Sequence, residues 1–579
     1  MIHSLLAVIA GLIAHHGFFI NGEWHMRGVQ IISTHVAMAS ALLGILSRTN
    51  GTWGGSLHGL ITMAIWYFTA LFTSMTIYRL FFHATSSFPG PKLAAVTKLW
   101  HILHVRDSRN YLLMQKLHSK YGKFVRTGPN EISIFHPGAL HSLDGWNNEN
   151  TKDVWYDVLQ PRQSAIFVRD EFAHKGMHKT WTKSLSTKAM DSLRPRLAEQ
   201  AHSLTRCIAS YGTEPIDVRE VMSWFSFDAM GEAVFGEDFG LLNSRVAHPE
   251  FHNRELFLGL LGPTADAIWI TRLAFSLLRF YGGAKGWFGM VSFCDKRMKS
   301  RLENGPKDGK TDIASWFIDD YKDLQGKVDS KTLDNHLNGT ALTAVVAGSG
   351  TTRASLIATC WYLSKYPEHA DKIRTEIQGV DIHDANSLAL LPHLNGTISE
   401  VLRLVPPQLT GGSRISGPNG LLLDGTFIPP FTKITAPKYV VQRLPSAFEF
   451  PHEFIPERWY SRPELVHDRR AFGPFSFGTF AYPWYILFLR FDQKQTVPAV
   501  INHAMWRKPR VDLIIKPGNR QCVGKVLAWA ELRLVTASLL QHYSIRFAPG
   551  YDPDLMWRDM QDQVAAQPGP VFCIFEPRK

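Results

Sequence analysis

Pro517-Gly518-Asn519-Arg520-Gln521-Cys522-Val523-Gly524-Lys525 is the stretch whose reading decides the fold. It sets a single cysteine two places after an arginine in a glycine-framed, turn-forming loop, and the apolar run 526–532 that follows has the pattern of a helix. A thiolate there faces helix amides, whose partial positive charge stabilises the anion and predicts a lowered pKa. Glycines on either side let the backbone approach a flat cofactor closely. A thiolate held in this way suits the axial position of a haem iron. Taken alone, Cys-x-Gly is a weak signal, and a buried structural cysteine is the commoner outcome for an isolated free Cys.

The bulk of the chain narrows the choice. Its 579 residues exceed one ordinary domain but fit a single large catalytic fold, and 45% are hydrophobic, enough for a sizeable core. Cys207, Cys294, Cys360, Cys522 and Cys573 are odd in number and lack metal-type spacing, which argues for a reducing compartment and against a disulfide framework. The net charge of +12 is spread along the chain rather than gathered in a tail. That disfavours nucleic acid as a partner and favours a membrane surface or an acidic protein.

The first ninety residues are strongly apolar, in stretches at 4–20, 29–46 and 60–83. The last slightly exceeds the ~20 residues needed to cross a bilayer. The first has the length of a signal-peptide core but lacks a basic start and a small-residue cleavage site. Up to three membrane helices are therefore expected. Arg27, Arg48 and Arg79 are too few to set orientation by the positive-inside rule. If all three segments span and the remainder is cytosolic, Asn50-Gly51-Thr52 is luminal and usable as a glycosylation acceptor. Phe88-Pro89-Gly90-Pro91 then makes a stiff turn that no helix continues through, joining the anchor to the body at a fixed angle.

Further along, residues 121–134 read as a hairpin with β-formers on both sides of Gly128-Pro129-Asn130. Residues 174–265 are patterned as helices, and His174, His178, Lys179 and Trp181 share two turns, a basic and aromatic face able to hold a cofactor's carboxylates. A long helix near 332–366 is expected to break at Ala347-Gly348-Ser349-Gly350-Thr351. Two internal glycines cost about 1 kcal/mol each and open a groove beside the backbone, whose alternative use is close helix packing. Glu400 and Arg403 fall on one helix face and predict an ion pair; if it is buried, a further partner is needed, for which Arg458 in Pro456-Glu457-Arg458-Trp459 is the candidate.

Together these pieces resemble one family, the membrane-bound fungal cytochromes P-450, in the family's order and over nearly everything after residue 86. The resemblance implies a mainly α fold with a smaller β region, a membrane anchor at 1–85 and a haem domain at 86–579. It implies Cys522 as the axial thiolate and metal ligand, with Gly518, Gly524 and Phe477 shaping its loop. Arg520, Arg414 and either His178 or Lys179 would contact the haem propionates. Glu400, Arg403 and Arg458 would form a buried structural triad. Ala347, Gly348 and Gly350 would open the groove, and Thr351 would deliver protons during oxygen activation. The implied reaction is insertion of one oxygen atom from O2 into a small apolar organic substrate in fungal secondary metabolism. Electrons would come from NADPH through a separate membrane-bound reductase, docked by complementary charge on a basic face near the cysteine loop. The expected location is the endoplasmic reticulum membrane, with the catalytic domain in the cytosol.

Two features depart from the family pattern. Gly350 stands where many relatives carry an acid before the groove threonine, which leaves room for a haem-thiolate isomerase or peroxygenase reaction. More largely, the family's Phe-x-x-Gly-x-Arg-x-Cys-x-Gly is interrupted: Phe475-Ser476-Phe477-Gly478 is parted from Pro517 by the 38 residues 479–516. Joining the two ends restores every fixed position. The segment, with six Lys or Arg against two Asp, is read as translated intron sequence, the alternative being a surface excursion on the reductase-facing side. If the segment is retained, weak haem loading is expected. A relative that keeps the fold but has lost catalysis is the remaining non-enzyme reading.

Overall fold

Three helices long and apolar enough to cross a membrane open the chain, at Ile2–Phe19, Gly28–Thr49 and Trp53–Phe82. The computed structural model describes residues 2–50, 52–145, 148–246, 249–306, 309–477 and 521–578. The third helix starts before residue 60 because Thr52 caps it: its hydroxyl accepts the Gly55 amide at 3.4 Å and draws Trp53-Gly54-Gly55 into the first turn. The first and third helices pack closely. A Cβ at Gly11 would stand 2.5 Å from the Tyr67 carbonyl oxygen, so only glycine admits this approach.

The connection between the first two helices returns to the globular body. Both Glu23 carboxylate oxygens accept from Arg169, at 2.6 and 2.7 Å, while Asp157 accepts from Arg169 at 2.8 Å and meets His25 Nε2 at 2.8 Å. This connection therefore lies on the body's side of the helical bundle. The Pro-Gly-Pro break is also fixed: the Arg126 amide donates to the Pro89 carbonyl at 2.7 Å, and a side chain at Gly90 would come within 2.3 Å of Arg126 O.

The body is mostly helical with small sheets. The expected hairpin forms Phe124–Gly128 and Glu131–Ile134, antiparallel, and heads a five-stranded sheet completed by Lys433–Thr435, Arg414–Ile415 and Thr151–Lys152. Ile132, Ile134, Ile428, Ile434 and Phe448 form a small core beneath it. The main core surrounds one long helix, Ser330–Lys365, whose amino end is capped by Asp329 accepting the Thr332 amide at 2.9 Å. This helix does not break at Gly348-Ser349-Gly350, contrary to the sequence expectation. It runs unbroken because the site of Gly348 is filled from outside: a Cβ there would meet Met230 Sδ at 2.5 Å, and Met230 belongs to the neighbouring helix Val218–Phe235. Close packing offsets the intrinsic cost of that glycine. Two further elements position the site: the helix Pro392–Leu404 and the short 3-10 turn Pro456–Trp459 behind it.

Candidate active site

Cys522 begins a turn that feeds the helix Lys525–His542, with the Ala528 amide donating to Gly524 O at 2.9 Å. The exposed surface of the cysteine opens into a cavity of about 300 Å³. Ala347, Gly348, Thr351 and Thr352 of the long helix line the same cavity. The thiol does not take the lowered pKa expected from helix amides. Burial pushes it up, and the Gly524 amide, the Lys438 and Lys525 ammonium groups and the Lys525 amide oppose this without cancelling it. Lys438 had no sequence signal, since its charge acts on the sulfur from the short helix Lys438–Val441, far away in the chain.

Despite the 38-residue separation, part of the upstream loop stands beside the cysteine. The Cys522 amide donates to Phe475 O at 2.9 Å, and Pro474, Phe475 and Ser476 line the cavity. Phe477 is not among the lining residues. It packs on the small core, with its ring 5.7 Å from that of His141 and its edge where a Gly473 Cβ would be. Ser476, between the two, holds a left-handed backbone at φ 57°, a costly conformation for serine. Gly518 and Arg520 lie outside the described residues, as does the segment 479–516. Gly524 lines the cavity with room to spare, since a Cβ there would sit 3.8 Å from Cys522 Sγ.

One wall of the cavity carries unsatisfied donors. Among the described residues, His178 Nε2, Trp181 Nε1 and Arg414 Nε are buried without a hydrogen-bond partner, and all three residues line the cavity. Each such atom costs about 1–3 kcal/mol if nothing is bound against it. Arg414 is otherwise well held: it pairs with Asp144 at 2.7 Å and donates to Tyr156 Oη. Burial opposes its charge, but Asp144 and Tyr156 outweigh that and keep its pKa above the usual value. Burial and Lys152 hold His178 neutral by lowering its pKa. A flat apolar group with acidic edges and a thiolate-seeking metal matches this donor set, so the residues present fit a haem. Lys179 does not join them; it is exposed, because it is one position round the helix from His178. Trp181, in the same run, contributes the donor instead.

A second chamber of about 220 Å³ adjoins the first, with Ala347, Thr351, Tyr156 and Gly411 shared between them. Phe167, Phe257, Leu258, Leu261 and Trp287 give it an apolar lining. Gly350 faces this chamber, and a Cβ there would be an ordinary 3.8 Å from Ala565. Thr351 Oγ1 donates to Ala347 O at 2.9 Å, so the hydroxyl is held at the junction of the chambers. Polar groups also line it: Asp562 accepts from Thr410 Oγ1, which in turn accepts from Asn110 Nδ2 at 2.9 Å.

Behind the cavity, Glu400, Arg403 and Arg458 come together with no exposure at all. Arg403 donates Nε and Nη2 to the two Glu400 oxygens at 2.9 and 2.8 Å, and Arg458 Nε donates to Oε1 at 2.9 Å. Trp459 Nε1 adds a bond at 2.9 Å and the Ile455 amide one at 3.1 Å, so the carboxylate's lone pairs are satisfied. The guanidinium groups spend their remaining donors on carbonyls of Gln442, Pro451, Glu453 and Glu449. Gly396, one turn before Glu400, lets the Pro456–Trp459 turn approach, since a Cβ would stand 2.7 Å from Pro456 O. Gly396→Ala is therefore expected to destabilise the fold by about 1–3 kcal/mol through overpacking against backbone, read as a lowered melting temperature.

Glu531 on the helix after the cysteine is a buried carboxyl that the sequence did not single out. Its Oε2 accepts from Thr352 Oγ1 at 2.8 Å, and burial raises its pKa to about 7. Asp562 is likewise raised to about 7 by burial. Both are acids with folded pKa values above their unfolded ones. Their stabilising contribution is complete at low pH and is lost as pH rises through 7. Stability is expected to fall by ~1.4 kcal/mol per pH unit per group between the ordinary carboxyl pKa of about 4 and pH 7, and to be independent of these groups above that. Glu531→Gln keeps the bond from Thr352 and removes one ionisation, so its melting temperature should fall less steeply than the parent's between about pH 5 and 7.

Comparison with known proteins agrees with this arrangement. The family model for cytochrome P450 matches residues 89–479 and ends where the interrupting segment begins. The cytochrome P450 monooxygenase notG′ of Aspergillus versicolor is 29% identical over 570 residues, covering 96% of this chain and 95% of its own length. The cytochrome P450 monooxygenase FCK2 of Fusarium pseudograminearum is 30% identical over 562 residues, covering 94% and 92%. The tryprostatin B 6-hydroxylase of Aspergillus fumigatus is 26% identical over 574 residues, covering 96% and 93%. With the fold, the cysteine-faced cavity and these matches in hand, the chain belongs to the cytochrome P450 family.

Proposed function

We propose that the protein is a haem-thiolate monooxygenase that inserts one atom of O2 into an apolar organic molecule and releases the other as water. The observation that carries this is that Cys522 and Thr351 line one cavity together with His178, Trp181 and Arg414, whose buried side-chain nitrogens have no partner among the described residues. In this reading Cys522 would hold the haem iron through its thiolate, Arg414, His178 and Trp181 would hold the haem's carboxylates, and Arg520 and Gly518 would complete the loop. The haem, once bound, supplies the oxygen-activating chemistry that the thiolate's electron donation favours. Thr351 holds a proton at Oγ1 at the chamber junction. With Gly350 beside it in place of an acid, water is left to continue the relay. Apolar residues of the second chamber select the substrate, and the Asp562–Thr410 pair offers it one polar anchor. The fungal relatives, one of them a hydroxylase of tryprostatin B by name, support a role in secondary metabolism.

Electrons from NADPH through a separate membrane-bound reductase complete the balance: two electrons and two protons reduce the second oxygen atom to water. We place the chain in the endoplasmic reticulum membrane with its body in the cytosol. The docking of the Glu23 connection onto Arg169 supports one topology, with the Asn50-Gly51-Thr52 acceptor in the lumen. The anchor is assigned to 1–85 and the haem domain to 86–579, interrupted at 479–516. Gly350 favours one second reading, a haem-thiolate isomerase or peroxygenase. Turnover of the purified protein with and without NADPH and reductase separates them. Dependence on both supports the monooxygenase, and turnover without either, or with peroxide alone, refutes it.

A further inference from the structure

On the face of the molecule behind the Glu400 triad, three metal-ligating side chains converge from three different elements. His369 lies on the helix Pro367–Ile377, His393 at the start of Pro392–Leu404, and Glu457 in the Pro456–Trp459 turn. One ligand atom from each lies within 4.8 Å of the others. We propose that these residues form a zinc-binding site that braces the outer side of the triad platform.

The donor geometry is close to what zinc requires. His369 Nδ1 and His393 Nε2 share a hydrogen bond at 3.1 Å, which zinc would replace; two imidazole nitrogens at ~2.05 Å on a tetrahedral zinc stand roughly 3.3 Å apart, so the rings need move little. Glu457 Oε1 is 3.9 Å from His369 Nδ1 and 3.9 Å from His393 Nδ1, and one ligand atom of each residue lies within 4.8 Å of the others, so a movement of up to about 1.5 Å by a carboxylate on an 18% exposed side chain completes a three-ligand set. The other nitrogen of His393 already meets Tyr460 Oη at 2.9 Å, the kind of outer contact that orients a ligating imidazole. The ring is placed from behind as well, because the His393 amide donates to Glu376 at 2.7 Å.

The group that opposes a cation here is Lys372, whose Nζ lies 2.6 Å from Glu457 Oε1. Its side chain is 52% exposed and can swing into water, leaving the carboxylate to the metal. The contrast with the other candidate cluster decides the choice. Glu23, His25 and Asp157 also converge, but Arg169 bonds both carboxylates there and is itself only 26% exposed. A fixed guanidinium excludes zinc from that cluster; a mobile ammonium does not exclude it from this one. Glu457 and Arg458 are adjacent in sequence, so zinc on the first constrains the second, which bonds Glu400.

The test is zinc chloride titrated into the untagged, chelator-stripped full chain in detergent, with bound metal counted and affinity measured by calorimetry. We expect a single tight equivalent that also raises the melting temperature. His369→Ala and His393→Ala should each weaken binding by at least about tenfold, the cost of losing one of three ligands. Lys372→Met, which touches neither histidine and leaves the fold intact, should tighten it several-fold by removing the competing charge. No saturable zinc uptake, uptake unchanged in either histidine variant, or unchanged or weaker binding in Lys372→Met overturns the proposal.

Discussion

Replacing Glu400 by alanine is expected to yield little or no folded, haem-loaded protein. The carboxylate is wholly buried and accepts five hydrogen bonds, from Arg403, Arg458, Trp459 and the Ile455 amide. Burial alone would raise its pKa, yet Arg403, Arg458 and the amide hold it below the usual value, so the anion is the stable form. Its contribution is complete above the unfolded carboxyl pKa and is lost only as pH falls through the depressed folded value. Removing it leaves two buried guanidinium groups without their counter-charge. Breaking a buried pair by deleting one partner costs about 3–5 kcal/mol, a large part of the 5–15 kcal/mol that holds a typical fold together. Soluble yield and haem per chain measure the effect. Glu400→Gln, which keeps acceptor geometry at one oxygen, should be intermediate. An alanine variant with parental yield and haem content would show that the triad does not support the cavity.

Replacing Cys522 by serine carries the second large effect. The substitution is nearly isosteric at a residue exposed to the cavity, so the fold should survive and the melting temperature of the haem-free protein should change little. What is lost is the thiolate that the proposed function requires. The red-shifted ferrous–CO band of a haem-thiolate should vanish, with NADPH-dependent turnover, while far-UV circular dichroism stays at parental values. Loss of fold together with loss of haem would instead mean that the cysteine acts mainly through packing.

Local patterning made much of the fold legible. The hairpin at 124–134, the three apolar helices and the Glu-x-x-Arg pair follow from periodicity, turn chemistry and charge spacing. The long helix was legible in extent but not in continuity, since the cost of Gly348 is visible in sequence and the Met230 side chain that fills its place is not. The site was legible where a motif is contiguous and obscure where it is assembled. The charge of Lys438 acting on the sulfur, Trp459 bonded to Glu400 and Thr352 bonded to Glu531 all join segments far apart in the chain. No spacing rule brings them together. Neighbours in one motif also diverge: His178 faces the cavity and Lys179 faces out, and Phe475 reaches the cysteine where Phe477 was expected.

That last displacement bears on the central claim, that Cys522 is the axial thiolate of a haem whose loop is interrupted by residues 479–516. The most direct measurement is the ferrous–CO difference spectrum, per mole of protein, of the full chain, of the chain lacking 479–516, and of each with Cys522→Ser. The account predicts a thiolate band that is weak in the full chain, several-fold stronger when the ends are joined and Phe477 can return, and absent from both serine variants. A thiolate band of undiminished height in either serine variant would contradict it.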